Sequence, residues 1–148
     1  MALDLFAVVT HIHRNCTADL LKAVGTLELT ITQTKLLHFL NETGPELSLG
    51  EAAEQLQVSL AAVSRLVDDL VRRGIVERHE DAADRRMKRV RLTDAGLDAI
   101  RRLNAARLTG LEEFARTLTE PERIKLADAL AALLERPEVA ACRIEGTA

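Results

Sequence analysis

The segment from Ser48 to Gly74 constrains this chain more than any other. Ser48-Leu-Gly-Glu51 reads as a capping box: a serine hydroxyl takes the amide three residues on, and the glutamate reaches back to the serine amide. The helix it opens is short, through Ala52, Ala53 and Leu56, and Gln57-Val58 make a tight turn. Ser59 caps a second helix that runs to about Arg73. In that helix Val63, Leu66, Val67, Leu70 and Val71 form one apolar stripe, while Ala61, Ala62, Arg65, Asp68, Asp69 and Arg72 occupy the opposite face. Gly74 is the expected left-handed cap, with Arg72 and Arg73 set against the negative end of the helix. A short helix, a tight turn and a helix with one apolar and one small, polar face make the helix-turn-helix pattern. Small exposed residues let a helix approach base edges in the major groove. Arg65 is the long donor there, with the reach to take a guanine bidentately. Short helix pairs also occur in helical proteins that bind no nucleic acid, so the pattern needs a second feature.

The flanking sequence supplies more helices and a hairpin. Residues 3–25 place Leu3, Phe6, Val9, Ile12 or His13, Cys16, Leu20 and Val24 at intervals of three or four, an amphipathic helix closed by Gly25. A second helix starts near Thr30 or Thr32 and ends before Gly44 and Pro45. Two strands are expected at Ile75–His79 and Lys88–Leu92, the second alternating Lys88, Val90 and Leu92 against Arg89 and Arg91. Between them Glu80 to Arg86 is too charged for a core. Thr93 caps a long helix through Phe114, with Gly96 and Gly110 lowering its propensity. Thr119 caps a last one to Pro137, with Pro121 in its first turn and Glu122 completing a capping box. The expected class is mainly α with a two-stranded hairpin, in one domain of 148 residues, long enough to bury a core without disulfides.

Charge settles what the helix pair faces. The net charge of −3 at first counts against a polyanionic partner, but it is unevenly spread. Residues 59–92 carry nine Lys and Arg against six Asp and Glu, a local +3, whereas residues 1–58 carry −4 and residues 93–148 carry −2. Arg85, Arg86, Lys88, Arg89 and Arg91 place five cations in seven positions, directly after the helix-turn-helix. A charge run is often only a solvated face, yet at this place it has the footprint of a phosphate-contacting surface. The chain has three phenylalanines and neither Tyr nor Trp, and none of the three lies within 59–92. Base stacking on aromatic platforms, the usual single-strand chemistry, is therefore not on offer, and tyrosine acid–base or nucleophile chemistry is excluded. Cys16 and Cys142 form no disulfide framework and no Cys-x-x-Cys pair. With Asp4 where a signal peptide would be basic, a reducing cytoplasm is the expected compartment.

The stretch Asp84-Arg-Arg86, followed by Val90, Leu92, Thr93 and Gly96, resembles the wing signature of MarR-type winged-helix regulators. Upstream, Leu49–Leu56, Ser59–Leu70 and Arg73-Gly-Ile-Val76 are similar to that family's helix-turn-helix and its exit into the wing. The likeness covers residues 30–100 in motif and the whole chain in helix order. It implies a winged helix-turn-helix with a two-stranded wing over residues 29–99. It also implies a helical dimerisation region built from residues 1–28 and 100–148 of a homodimer. It implies a transcriptional regulator, a repressor released by a ligand, acting on a pseudo-palindromic double-stranded operator. By position Ser59, Ala61, Ala62, Ser64 and Arg65 would face the major groove. Asp84, Arg85 and Arg86 would sit at the minor groove with Lys88 nearby, Arg86 inserted and Asp84 its brace. Such an arginine reads groove width more than base identity. Ala62 departs from the family pattern, since relatives often carry a hydroxyl there.

Relatives commonly bind small phenolic or amphipathic effectors between the two regions, and His13, Arg14, His38 and Phe39 are the residues here that such a site would draw on. A histidine satisfied by backbone competes with that role at both positions. His13 and Cys16 share a helix face at metal-ligand spacing but lack a third and fourth ligand, so no metal and no cofactor is expected. Cys16 also invites comparison with the family branch that senses organic hydroperoxides through a first-helix cysteine. That branch relies on tyrosine hydroxyls that this chain lacks. A bridge from Cys16 to Cys142 of a second subunit is the redox alternative, against a buried small hydrophobe plus an exposed tail thiol. A winged helix that binds protein is the other rival. No nucleophile–base or paired-carboxylate arrangement emerges, with histidines scattered at 11, 13, 38 and 79, so an enzyme is not expected. A metal-sensing winged helix with cysteines on its recognition helix is also set aside, because this helix has none.

Overall fold

A computed structural model describes residues 1–44, 46–81, 84 and 87–142, with the backbone alone for residues 15 and 16. The chain runs α1 (Ala2–Thr26), α2 (Ile31–Glu42), β1 (Leu47–Ser48), α3 (Leu49–Leu56), α4 (Leu60–Arg72), β2 (Val76–Glu80), β3 (Lys88–Leu92), α5 (Asp94–Thr117), α6 (Glu120–Leu134) and α7 (Pro137–Ala140). It divides into two units: residues 1–21 with 104–148, and residues 22–103.

The second unit holds the core. Leu36 and Leu37 of α2, Val63, Val67 and Leu70 of α4, Val76, Val90 and Leu103 are all fully buried. Each such side chain contributes roughly 1.5–3 kcal/mol relative to exposure. Val71 does not join the α4 stripe as expected, because it is exposed. At 100° per residue it lies about 80° away from the direction set by Val63, Val67 and Leu70.

The sheet has three antiparallel strands, in the order β1-β3-β2, where two were expected. β1 pairs Leu47 with Val90 and Ser48 with Arg89. Two residues are too few to show an alternation, so the strand leaves no period in the sequence. Ser48 belongs to the strand and caps α3 at once, with its Oγ accepting from the Glu51 amide at 3.1 Å and its own amide donating to Glu51 Oε2 at 2.7 Å. Thr30 is the α2 cap, in a second capping box with Gln33. α1 continues through Gly25 to Thr26, so the glycine does not close it. The left-handed residue is instead Glu28, at φ 50°.

Three helices end alike. After α1, α3 and α4 a residue with positive φ (Glu28, Gln57 and Gly74) lets the next amide reach back five residues. The bonds are Leu29 to Val24, Val58 to Ala53 and Ile75 to Leu70. This is the Schellman arrangement, with the usual apolar pair at Leu29 and Val24, and again at Ile75 and Leu70, all four buried. Only one of the three sites carries glycine, the residue that adopts this backbone without strain.

In the first unit the rings of His11 and Phe114 lie 5.8 Å apart, tilted 59°. Glu122 Oε2 accepts from both the amide and the hydroxyl of Thr119, at 2.8 and 2.6 Å. The α6 start is therefore held by the glutamate, and these bonds pull the Glu122 carboxyl below its ordinary value. α6 buries no residue, and α1 exposes Leu3, Phe6 and Val9. α6 ends at Leu134, and the four-residue α7 starts at Pro137, where the sequence reading ended the last helix.

Gly96 proves structural. A Cβ there would overlap the Ile75 carbonyl oxygen and lie 3.0 Å from Leu92 Cδ2. This close approach seats the start of α5 on the end of α4, where Thr93 Oγ1 also lies 2.6 Å from the Gly74 carbonyl. Gly96→Ala should cost about 1–3 kcal/mol through overpacking. Gly25→Ala, a helical site with open space around it, should gain up to about 1 kcal/mol. Urea unfolding of the two variants checks the opposite signs.

Candidate nucleic-acid interface

The helix-turn-helix is built from caps. Gln57, at φ 55°, turns the chain out of α3, and Ser59 Oγ accepts from the Ala62 amide at 3.2 Å to start α4. With Val63, Val67 and Leu70 inward, the 100° step of a helix turns Ala61, Arg65, Asp68 and Arg72 outward, and all four are exposed. Ser59 is exposed beside them, whereas Ala62 and Ser64 sit half-buried on the two flanks. Of the five residues expected to read the major groove, three are therefore on the crest or its lip and two on the sides.

The adjacent acids Asp68 and Asp69, expected on the exposed face, have separate partners. Asp68 Oδ1 lies 2.9 Å from Arg78 Nη2 of β2, and the same nitrogen is 3.5 Å from the Ser64 carbonyl. Asp69 turns toward α2, where Oδ2 accepts from Gln33 Nε2 at 2.9 Å, and its other oxygen meets Arg72 Nη2 at 2.7 Å. α4 is tied to the sheet on one side and to α2 on the other, leaving its outer face bare.

The basic run is less open than its composition suggests. The β2–β3 register sets Glu77 opposite Arg91 and Glu80 opposite Lys88, and both pairs form ion pairs, Lys88 Nζ to Glu80 Oε1 at 2.8 Å. The Lys88 ammonium holds the Glu80 carboxyl below its ordinary value. Arg89 pairs with Asp81 and lies 3.6 Å from Glu46 and 3.7 Å from Glu51, a carboxylate setting that raises its pKa. Glu46 also meets His79 Nε2 at 2.6 Å. Every described cation of the run thus has a carboxylate partner, so part of the charge read as a phosphate-contacting footprint is balanced within the protein. Arg85 and Arg86 lie outside the described residues, and with them the expected brace from Asp84 to Arg86. Asp84 is exposed at the wing turn, its amide donating to Asp81 Oδ1 at 3.0 Å and its carbonyl accepting from Met87 at 2.8 Å. Arg65, by contrast, has no ion pair among the described residues.

The remaining expected residues are scattered. His13 and Arg14 are exposed on α1 in the first unit, while His38 and Phe39 are half-buried on α2 in the second. Cys142 is an exposed free thiol whose Sγ lies 3.4 Å from the Glu138 carbonyl, and the Cys16 side chain lies outside the described residues. No metal-binding group of His, Cys, Asp and Glu occurs among the described residues, and no described helix is long and apolar enough to cross a membrane. The sequence reading missed Gln33 and Arg78, which tie α4 to its neighbours, and Glu46, which meets His79 and Arg89 on the sheet. Thr30-x-x-Gln33 was visible as a capping-box spacing, but nothing in the spacing pointed Gln33 at Asp69.

The Ser48 amide, and after it the Ser48 hydroxyl, hold the Glu51 carboxyl below its ordinary pKa by hydrogen bonding. A lowered carboxylate stabilises the fold above its ordinary pKa, and the contribution fades as pH falls through the folded value. Glu51→Gln should therefore be less stable than the parent at pH 7, with the gap closing below about pH 4. Ser48→Ala should cost about 1 kcal/mol at neutral pH. Urea unfolding from pH 7 to pH 3 measures both.

Residues 27–87 match the model of the MarR family. Over 73 residues the chain is 36% identical to the HTH-type transcriptional regulator PapX of Escherichia coli, a match covering 49% of this chain and 44% of PapX. The chain thus spans less than half the length of that curated relative. Among solved structures, the transcriptional regulator Tm0710 of Thermotoga maritima superposes with a TM-score of 0.80 at 23% identity, over 96% of this chain and 99% of that one. A MepR variant of Staphylococcus aureus, bound to an oligodeoxyribonucleotide, superposes at 0.69 and 23% identity, over 91% and 96%. The last two are likenesses of fold.

Proposed function

We propose that this chain, which carries a MarR-family winged helix in a MarR-type fold, is a transcriptional regulator that binds double-stranded DNA as a homodimer. One observation carries the reading. α4 is buried along one side, tied on both flanks, and bare on an outer face where Ala61 and Arg65 stand exposed. A helix so held and so stripped suits the major groove, with Arg65 donating to a guanine. Ser59, Ala62 and Ser64 line its margins, and Arg85 and Arg86 of the wing, with Asp84 and Lys88 beside them, take the minor groove and its flanking phosphates. The oligonucleotide bound to the MepR variant supports the reading by fold.

Homodimerisation is supported by the uncovered apolar side chains of the first unit: Ile124, Leu130 and Leu133 of α6, and Leu3, Phe6 and Val9 of α1. Large exposed apolar side chains gathered on two helices suit a protein–protein interface. Two-fold symmetry then demands an operator of two half-sites about one helical turn apart. Release by a small amphipathic effector, and with it a repressor role, rests on the likeness to the MarR family. An open groove on the second unit, lined by Leu40, Leu92 and Leu97 beside Asn41, Arg91 and Asp94, is one concave surface such a molecule could use. None of His13, Arg14, His38 and Phe39 lines it.

Selection of bound duplexes from random sequence should return a pseudo-palindrome. Arg65→Ala should weaken that site by about 1–3 kcal/mol and relax one base position in each half-site. Arg86→Ala should lower the salt slope by about one and cost most at duplexes whose minor groove is narrow. Absence of salt-dependent duplex binding, or selected sites without two-fold symmetry, would overturn the reading.

A further inference from the structure

The end of α1 poses a physical problem that the rest of the second unit solves. Glu28 holds a left-handed backbone that favours glycine, and the carbonyls of Leu27 and Glu28 lie just past α1, outside its helical ladder. The Arg73 guanidinium, from the end of α4, reaches both. Nη1 donates to the Glu28 carbonyl at 2.9 Å, Nη2 donates to the Leu27 carbonyl, and Nη1 lies 3.7 Å from Asp69 Oδ2. Asp69 Oδ2 in turn accepts from Gln33 Nε2, while Gln33 Oε1 accepts from the Thr30 amide at 2.8 Å. Gln33 is buried, and the Arg73 side chain is about one quarter exposed. The turn that follows α1, the first turn of α2 and the end of α4 thus meet in one network of charged and amide groups.

We infer that Arg73 and Asp69 are positioning residues: they clamp the α1–α2 junction to the end of α4, so that the junction sets the angle at which α4 enters the groove. This rests on the reading of α4 as the DNA reader. A rise of 1.5 Å per residue puts Ala61 about 18 Å from Arg73, so a tilt of roughly 10° about the clamped end displaces the reading end by about 3 Å. That is a whole hydrogen-bond length. The planar guanidinium fork is what lets one side chain serve two carbonyls and a carboxylate together, and a lysine ammonium at this place would keep the charge and lose the geometry. The other flank of α4, held by Asp68 and Arg78, cannot substitute, because it restrains the opposite side of the helix.

Two measurements on full-length protein test the clamp, with Arg73→Ala, Arg73→Lys and Asp69→Asn as variants. Asp69→Asn keeps an acceptor for Gln33 and drops the charge facing Arg73 and Arg72. Without DNA, amide hydrogen exchange at Thr30, Gln33 and Thr34 should rise about ten-fold in Arg73→Ala, less in Arg73→Lys, with the amides of Val67 and Leu70 unchanged. With DNA, binding to operators whose half-site spacing is altered by one base pair should separate the variants from the parent. The parent should discriminate among spacings, and Arg73→Ala should lose most of that discrimination while keeping its salt slope. Unchanged exchange at the junction would overturn the clamp. So would an affinity loss equal at every spacing with the salt slope reduced by about one, since that marks Arg73 as a phosphate contact. If the parent itself binds no duplex, the DNA reading fails, and the exchange result still decides whether the clamp exists.

Discussion

The second unit depends on holding one helix by everything except the face it uses. Val63, Val67 and Leu70 of α4 are fully buried. Hydrophobic burial is strong but non-directional, so this stripe alone leaves α4 able to slide and roll over its bed. Direction comes from Asp68 and Asp69. One step along a helix turns a side chain by 100°, which sends these neighbours to opposite flanks, the first to Arg78 on the sheet and the second to Gln33 on α2. Neither tether is worth much as an isolated exposed pair. Each acts against a different rotation, and together they limit the motion that burial permits.

The sheet repeats this division on the wing. Antiparallel register places Glu77 against Arg91 and Glu80 against Lys88, and Asp81 beside Arg89. The cations here neutralise local carboxylates and stiffen the hairpin, so the local excess of positive charge in residues 59–92 cannot be spread evenly along the described strands. Arg65 is the exposed cation on the face of α4 without an acidic partner among the described residues. The described residues thus combine an internally compensated scaffold with an exposed Arg65, an arrangement that suits short-range recognition more than diffuse attraction to a polyanion.

Much of this was legible in the amino-acid sequence. The caps at Ser48, Ser59 and Thr93, the inward stripe of α4 and the left-handed Gly74 follow from local chemistry acting over three or four residues. β1 was not legible, because two residues carry no period, and its existence depends on Val90 and Arg89 some forty positions away. Gly25 misled, because a glycine suits a left-handed turn but does not require one, and the turn fell on Glu28. Gly96 was visible only as a weak helix former. Its reason, the Ile75 carbonyl against its α-carbon, belongs to two segments that meet only in the folded chain.

By itself the sequence determined the order and kind of the helices, the helix-turn-helix, the hairpin and the resemblance to a winged-helix family, because all of these are written in spacing and capping. Only the tertiary structure decided which charges are spent inside the protein and which remain to meet a ligand. An Asp on a helix or an Arg on a strand looks the same in sequence whether it faces water or a partner. The partner is chosen by folding, through the register of β2 on β3 for Lys88 and Arg91, and through the approach of α4 to α2 for Asp69 and Arg73. Long-range geometry therefore separated the exposed Arg65 from its paired neighbours, a distinction that composition could not make.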